Sequence, residues 1–324
     1  MMRTLSIVIF AVIALATAGT AASAQSCTAT ISASNFGTVE LLTGGSFDTT
    51  ATLSLFCSGA PGEVVRVCPS IGAGSGGSSN GGATRTMTTT PSGQLGFNLY
   101  QDPGHQFVWG AVDGSMGGFG PPAIDITMNA GGAGNETATI YGRIFSAQQS
   151  APIGSYASTF SAGSVSIASD YAAGNPTCAA IGVNNAYQTA FNAEAQYFAS
   201  CTVSATAMSF GSIAATQAGA TDSSATISMQ CSNSAPYNVL LNGGLTGAAN
   251  PLARKMQSGA NLLTYALYKD SNRTQPWGET IGSNVLGGTG TGGNQSIAVY
   301  GRVPQQATPP TGSYADTVIV TIDY

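Results

Sequence analysis

The sequence has 324 residues, enough for two domains of ordinary size. Only 7% of them are charged and the net charge is −5, so no basic patch exists to neutralise phosphates, which points away from nucleic acid and from anionic lipid surfaces. The 43 Gly stand beside 12 Tyr, 12 Phe and short Val and Ile runs, a composition of turn-rich all-β proteins rather than of disordered chains.

Residues 1–24 read as a signal peptide. Arg3 supplies a positive start, Leu5 to Leu15 is an almost unbroken apolar run, and Ala22-Ser23-Ala24 is an A-x-A cleavage site, so the mature chain is expected to begin at Gln25. The run is short for a bilayer span. Cys27 also lacks the Leu and small residue that lipidation signals place before it. Six Cys follow, at Cys27, Cys57, Cys68, Cys178, Cys201 and Cys231, and an even number in an exported chain implies disulfides.

The rest of the chain says much of its content twice. Cys27, Phe36-Gly37 and Cys57 recur as Cys201, Phe210-Gly211 and Cys231, all offset by 174 residues. Leu99-Tyr100-Gln101-Asp102 and Trp109-Gly110 recur as Leu267-Tyr268-Lys269-Asp270 and Trp277-Gly278, offset by 168. Tyr141-Gly142-Arg143 recurs at Tyr300-Gly301-Arg302 and Gly154-Ser155-Tyr156-Ala157 at Gly312-Ser313-Tyr314-Ala315, offset by 159 and 158. Collinear landmarks with a slowly shrinking offset define two homologous domains. The repeat assigns Cys27–Cys57 and Cys201–Cys231 as bridges and leaves Cys68 and Cys178 to pair. A redox role for that last pair is the alternative, disfavoured by their wide separation and by export.

Several segments alternate with period two, as half-buried strands do. Ala51, Leu53, Leu55 and Cys57 share one phase, as do Ala225, Ile227, Met229 and Cys231. At the end of the chain Tyr314, Val318, Val320, Ile322 and Tyr324 form the same pattern, and in copy one a bulge at Gly163 would restore it between Phe160 and Val165. Gly-rich stretches at 72–82 and 287–293, and the aromatic-bearing 102–122, read as loops.

With these residues in view, the chain resembles the spore coat U domain family twice over, across nearly all of 27–167 and 201–324. That family includes the pilins of archaic, Csu-type chaperone–usher pili. The resemblance rests on the Cys frame with Phe-Gly between, on Tyr-Gly-Arg, and on the closing Gly-x-Tyr-x-Asp-x-Val-x-Val-x-Ile-x-Tyr of Gly312–Tyr324. Copy one departs from it with Ser158 where copy two has Asp316. The resemblance implies an all-β fold of two tandem immunoglobulin-like, pilin-type sandwiches, the second lacking its final strand. A donor strand from a chaperone, and later from the next subunit, would fill the gap. Val318, Val320, Ile322 and Tyr324 are the expected lining of that acceptor groove. The expected layout is a signal peptide at 1–24, an adhesin domain at 25–185, a linker or internal donor strand at 186–200, and a pilin domain at 201–324. Tyr187, Thr189, Phe191, Ala193, Ala195 and Tyr197 share one strand phase, although Ala, Gln and Glu favour a helix and Tyr187 and Phe191 are spaced i,i+4.

Only Gln25 and Ser26 precede Cys27 in the expected mature chain, too little for a donor extension. The resemblance therefore points to the tip adhesin of a pilus, exported through the periplasm to the cell surface. Its expected partners are a periplasmic chaperone, an outer-membrane usher, the donor strand of the next pilin subunit, and an abiotic or host surface. A structural shaft or surface-coat subunit is the alternative, and a secreted carbohydrate-active enzyme a weaker one. No catalytic residue, metal site or cofactor is expected. The only His, His105, reads as a solvated loop residue near Asp102 and Asp113 in sequence. The G-x-G-x-x-G of Gly72, Gly74 and Gly77 lacks a strand-turn-helix context, and G-x-S-x-G at 77–81 is equally empty. Trp109 and Trp277 hold equivalent positions and read as core. Copy one is longer between Gly110 and Gly142 than copy two between Gly278 and Gly301, 32 positions against 23. There Met116 and Phe119, with Phe107 and Val112 nearby, form a candidate adhesive loop if exposed together, or a satellite core cluster otherwise.

Overall fold

The computed structural model describes residues 24–183, 186–214, 216, 218–307 and 309–324. The expected signal peptide, save Ala24, lies outside the described residues. The chain forms two tandem β-sandwiches. The first contains β1 (Ser26–Ile31), β2 (Ser34–Thr38), β3 (Phe47–Ser58), β4 (Val64–Ile71), β5 (Ser78–Ser79), β6 (Thr84–Thr89) and β7 (Gly93–Tyr100). It continues with β8 (Ile124–Thr127), β9 (Ala133–Ile144), β10 (Gly154–Phe160), β11 (Val165–Tyr171), β12 (Tyr187–Gln188) and β13 (Phe191–Tyr197). A single turn of helix, α1 (Cys178–Ile181), precedes the last two. The second sandwich contains β14 (Cys201–Ala205), β15 (Thr221–Cys231), β16 (Pro236–Leu241), β17 (Arg254–Ser258), β18 (Asn261–Tyr268), β19 (Leu286–Thr289), β20 (Asn294–Val303) and β21 (Val320–Asp323).

In the first sandwich one sheet runs β1-β3-β9-β7-β6-β10-β13-β2 and the other β12-β11-β4-β8. In the second the sheets run β14-β15-β20-β18-β17 and β19-β16-β21. Each sandwich has its own apolar core, the first around Leu53, Phe97, Ile140 and Phe160, the second around Ile227, Val239, Tyr265 and Val303. The inward phase of each strand supplies these side chains.

The landmarks of the repeat have physical causes. Cys27 faces Cys57 directly across β1 and β3, and Cys201 faces Cys231 across β14 and β15. Each pair is bridged, with Cα atoms 4.1 Å apart, the closer spacing of antiparallel strands. Cys68 is bridged to Cys178, which ties α1 to β4. The ring of Phe36 lies where a Cβ on Gly142 would stand, 3.0 Å away, and Phe210 crowds Gly301 in the same way at 2.8 Å. This close approach is why the Tyr-Gly-Arg strand has Gly at its centre. Its Arg pairs across the sheet, Arg143 with Asp48 and Arg302 with Asp222. Tyr156 Oη donates to the Pro152 carbonyl and Tyr314 Oη to that of Pro310, which fixes the approach to the closing strands.

Four local expectations change. The 72–82 stretch is not all loop, because Ser78 and Ser79 pair with Arg85 and Thr84 and a 3-10 turn follows at Asn80–Gly82. Gly163 lies in a turn, with Ser164 and Val165 N–H both donating to the Ser161 carbonyl, rather than in a bulge. The chain crosses there from one sheet to the other. The 287–293 stretch is partly strand, because Gly287 and Gly288 pair with Asn238 and Tyr237, and the Tyr237 ring packs 2.5 Å from where a Cβ on Gly288 would be. The final strand of the second sandwich is shorter than its alternation suggests. Regular pairing covers only β21, and upstream a lone bridge joins Ala315 to Gln257. Side chains can alternate where the backbone has no neighbour to complete a ladder.

Candidate functional site: an open groove in the second sandwich

β13 is the element that separates the two copies. Phe191, Ala193, Ala195 and Tyr197 are buried while the residues between them are more exposed, which decides the segment as a strand and not a helix. β13 pairs antiparallel with β10, with Gly154 opposite Tyr197, Tyr156 opposite Ala195, Ser158 opposite Ala193 and Phe160 opposite Phe191. On its other side it pairs in parallel with β2. The Phe191 and Phe160 rings stack with centroids 4.4 Å apart.

The second sandwich has no counterpart of β13 among the described residues. The chain equivalent to β2 (208–212) and that equivalent to β10 (312–318) are not assigned as strands. Between them lies a groove of about 520 Å³, lined by Met208, Phe210, Tyr265, Tyr314, Val318 and Val320 among others. Of the four residues expected to line an acceptor groove, Val318 and Val320 do so. Ile322 sits further on, opposite Val239 in β21 and packed on the core. Tyr324 is 56% exposed and is absent from the lining.

One carboxylate enters this largely apolar trough, which Thr206, Thr226 and Thr317 also line. Asp316 takes the inward phase, its Oδ2 accepting from Tyr265 Oη at 2.6 Å and its Oδ1 from the Leu245 amide at 2.8 Å. Burial, reinforced by the hydrogen bond to Asp316, pushes the Tyr265 phenol well above its ordinary pKa. Gly244, at φ +72°, lets the loop pass over the carboxylate, since a Cβ there would stand 2.0 Å from Oδ2.

Beneath each sandwich's loops sits an arginine that sequence reading did not single out. Arg85 and Arg254 are both fully buried. Arg85 donates to the carbonyls of Gly72, Ile71 and Trp109 and to the side chain of Asn98. Arg254 donates to Asn242, Leu241, Pro251 and Trp277 carbonyls. Burial lowers the pKa of Arg85 to about 9, and lowers that of Arg254. The shared Arg-x-Met of Arg85–Met87 and Arg254–Met256 was the available signal. Trp109 and Trp277 are core residues, their Nε1 groups donating to the Pro69 and Val239 carbonyls.

The candidate adhesive loop divides. Phe107 is 63% exposed and Phe119 37%, and both flank Gln101, whose backbone N–H donates to the Phe107 carbonyl and whose side chain donates to Gly120. Val112 is half-buried. Met116 is fully buried with Tyr100, Val108 and Ala111, so it belongs to a satellite core. The glycines that suggested an exposed loop instead allow backbone packing: a Cβ on Gly82 would stand 2.2 Å from the Met116 carbonyl. His105 is not solvated either. Its side chain is 8% exposed, edge-on to Tyr100 and Tyr141, with Nε2 3.8 Å from Asp48. Its counterpart Arg273 stands 3.3 Å from Asp222, so both reach the same cross-strand pair. Asp102 spends its carboxylate on the Gln106 and Phe107 amides, and Asp113 on Ser115. No group of three or more His, Cys, Asp or Glu suited to a metal occurs among the described residues.

Protein U of Myxococcus xanthus is 36% identical over 104 residues, 30% of this chain, and the match spans 58% of that relative's length. The chaperone–tip adhesion subunit pre-assembly complex CsuC–CsuE of Acinetobacter baumannii Csu pili aligns over 92% of this chain and 100% of the matched chain, at 17% identity and a TM-score of 0.50, a likeness of fold. The CupB6 tip adhesin of Pseudomonas aeruginosa aligns over 93% of this chain and 95% of its own, at 11% identity and a TM-score of 0.40. The Spore Coat Protein U domain model matches residues 13–163 and again 187–321, and the chain, with its two Cys-framed sandwiches, is a member of the Spore Coat Protein U domain family.

Proposed function

We propose that this protein is the tip adhesin subunit of an archaic chaperone–usher pilus, with no enzymatic role. The observation that carries the reading is the contrast between the two sandwiches. The first is completed by its own chain through β13. The second has an open apolar groove at the same place. An unpaired edge over exposed core is a liability in water, and strand addition from another chain relieves it. A subunit with one self-completed and one waiting sandwich accepts a single donor strand, from a periplasmic chaperone first and from the next pilin after the usher. The first sandwich is then free for contact. Its exposed Phe107 and Phe119 are the adhesive candidates, and the copy-two residue equivalent to Phe107 is the polar Gln275.

Immunogold labelling of a tagged chain on intact pili tests the reading. Label at pilus ends, with attachment to polystyrene lost when the chain is deleted, is expected. Label distributed along the fibre would replace the tip reading with that of a shaft or coat subunit.

A further inference from the structure

The groove differs from its filled counterpart at two facing positions. Where the first sandwich has Ser158 and Phe97, the second has Asp316 and Tyr265, offset by the same 158 and 168 residues as the surrounding landmarks. Asp316 and Tyr265 are hydrogen-bonded. Ser158 is buried and its hydroxyl has no partner. The pair therefore occurs in the sandwich that awaits a strand and is missing from the one that already holds it.

A strand that arrives from its own chain has its register set by the connection. One that arrives from elsewhere can slip, and slippage along an apolar trough by two residues keeps every side chain on the same face. Something in the trough must then distinguish positions. Asp316 does so. It is the sole carboxylate in a lining that is otherwise apolar save for Thr206, Thr226, Thr317 and the two tyrosines. When a strand covers it, the carboxylate is cut off from water. It then depends on the Tyr265 hydroxyl and the Leu245 and Thr317 amides, its three partners in the empty groove. A bulky apolar side chain pressed against it would add desolvation and crowding, whereas a small one leaves these hydrogen bonds intact.

The filled sandwich supplies the register. Residues directly opposed across antiparallel strands bring their Cβ atoms to about 5 Å. Ala193 opposes Ser158, and Phe191 opposes Phe160, two residues on. Transferred to the second sandwich, these positions face Asp316 and Val318. We propose that Asp316, held by Tyr265, is the specificity-determining residue of the groove. It admits a strand running antiparallel to 312–318 only in the register that sets a small residue opposite Asp316 and a large apolar one opposite Val318. This rests on the reading of the groove as a strand acceptor.

The test uses the full chain extended beyond Tyr324 by a flexible linker and a second copy of residues 189–199, the segment that completes the first sandwich. The added strand is expected to raise the Tm of the second sandwich by about 5 °C or more. Ala193→Leu in the added copy should abolish most of that rise, while Ala193→Ser should preserve it. In a chain carrying Asp316→Ser and Tyr265→Phe, the pair of the first sandwich, the added strand should still stabilise and the penalty of Ala193→Leu should fall by at least half. This non-additivity is something a purely structural carboxylate would not produce. Equal stabilisation by the Ala and Leu strands in the native chain, or an unchanged Leu penalty in the double variant, overturns the register role while leaving the acceptor reading intact. No stabilisation by any added strand overturns both.

Discussion

Arg85 and Arg254 occupy one position in two sandwiches, and each donates from its Nη2 to the backbone carbonyl of its domain's buried tryptophan, Trp109 at 2.7 Å and Trp277 at 2.8 Å. Among the described residues no carboxylate hydrogen-bonds to either, although Asp316 and Glu279 act on Arg254 from further off; backbone carbonyls, joined in the first sandwich by Asn98, form the cage. The guanidinium's fixed fork of donors lets one side chain stitch the loops to the core.

Replacing either arginine by Met strands several buried carbonyls at once. Arg85→Met and Arg254→Met should each destabilise their own sandwich by about 3–5 kcal/mol, read from two transitions in a chemical denaturation profile. Arg85→Lys should recover little, because an ammonium cannot span the same acceptors. A loss under 1 kcal/mol would show that the cage is incidental.

Met116 and the two exposed phenylalanines separate stability from adhesion. Met116→Ser should destabilise the first sandwich by about 2–5 kcal/mol, as core truncations do. Phe107→Ser with Phe119→Ser should leave its Tm nearly unchanged and sharply reduce attachment of cells to polystyrene. Intact attachment in the double variant would move the contact surface elsewhere.

The bridge from Cys68 to Cys178 closes a separation of 110 residues, so its removal in a Cys68→Ala, Cys178→Ala chain should cost about 4–5 kcal/mol on the chain-entropy estimate. Non-reducing peptide mapping checks the pairing itself. A peptide joining residue 27 or 57 to 201 or 231 would contradict the two-domain frame.

Acid should weaken the two sandwiches in parallel. The hydrogen bond from Arg143 holds the Asp48 carboxyl below its ordinary pKa, and Arg302 does the same for Asp222. A depressed carboxylate contributes stability above its unfolded pKa of about 4 and loses it as pH falls through the lower folded value. Both pairs are partly exposed, so each is worth about 0.5 kcal/mol. Asp48→Asn and Asp222→Asn should flatten the decline between about pH 4 and pH 2 in urea titrations.

Much of this was legible in the sequence. Collinear landmarks revealed the two sandwiches, and period two placed Cys57 and Cys231 facing inward. What escaped notice depends on contacts remote along the chain. Arg85 reads as a surface residue until its acceptors from three other segments are known. Met116 lies among glycines that suggest exposure, and only the fit of Gly82 against its backbone shows it buried. At 187–197 local propensity and alternation disagreed; the place between β10 and β2 settled 191–197 as a strand, a tertiary effect overriding helix preference, whereas Tyr187 and Gln188 pair with β11 in the other sheet.

Only Phe198, Ala199 and Ser200 separate β13 from β14, with the Ser200 amide hydrogen-bonded to Ser232 Oγ at 3.0 Å. Tension drawn through the second sandwich therefore reaches the first along the axis of β13. The hydrogen bonds joining β13 to β10 lie across that axis, so pulling slides the strands past each other and strains seven opposed residue pairs together instead of peeling them apart singly. Loaded in shear, the strand that completes the first sandwich is also its mechanical anchor.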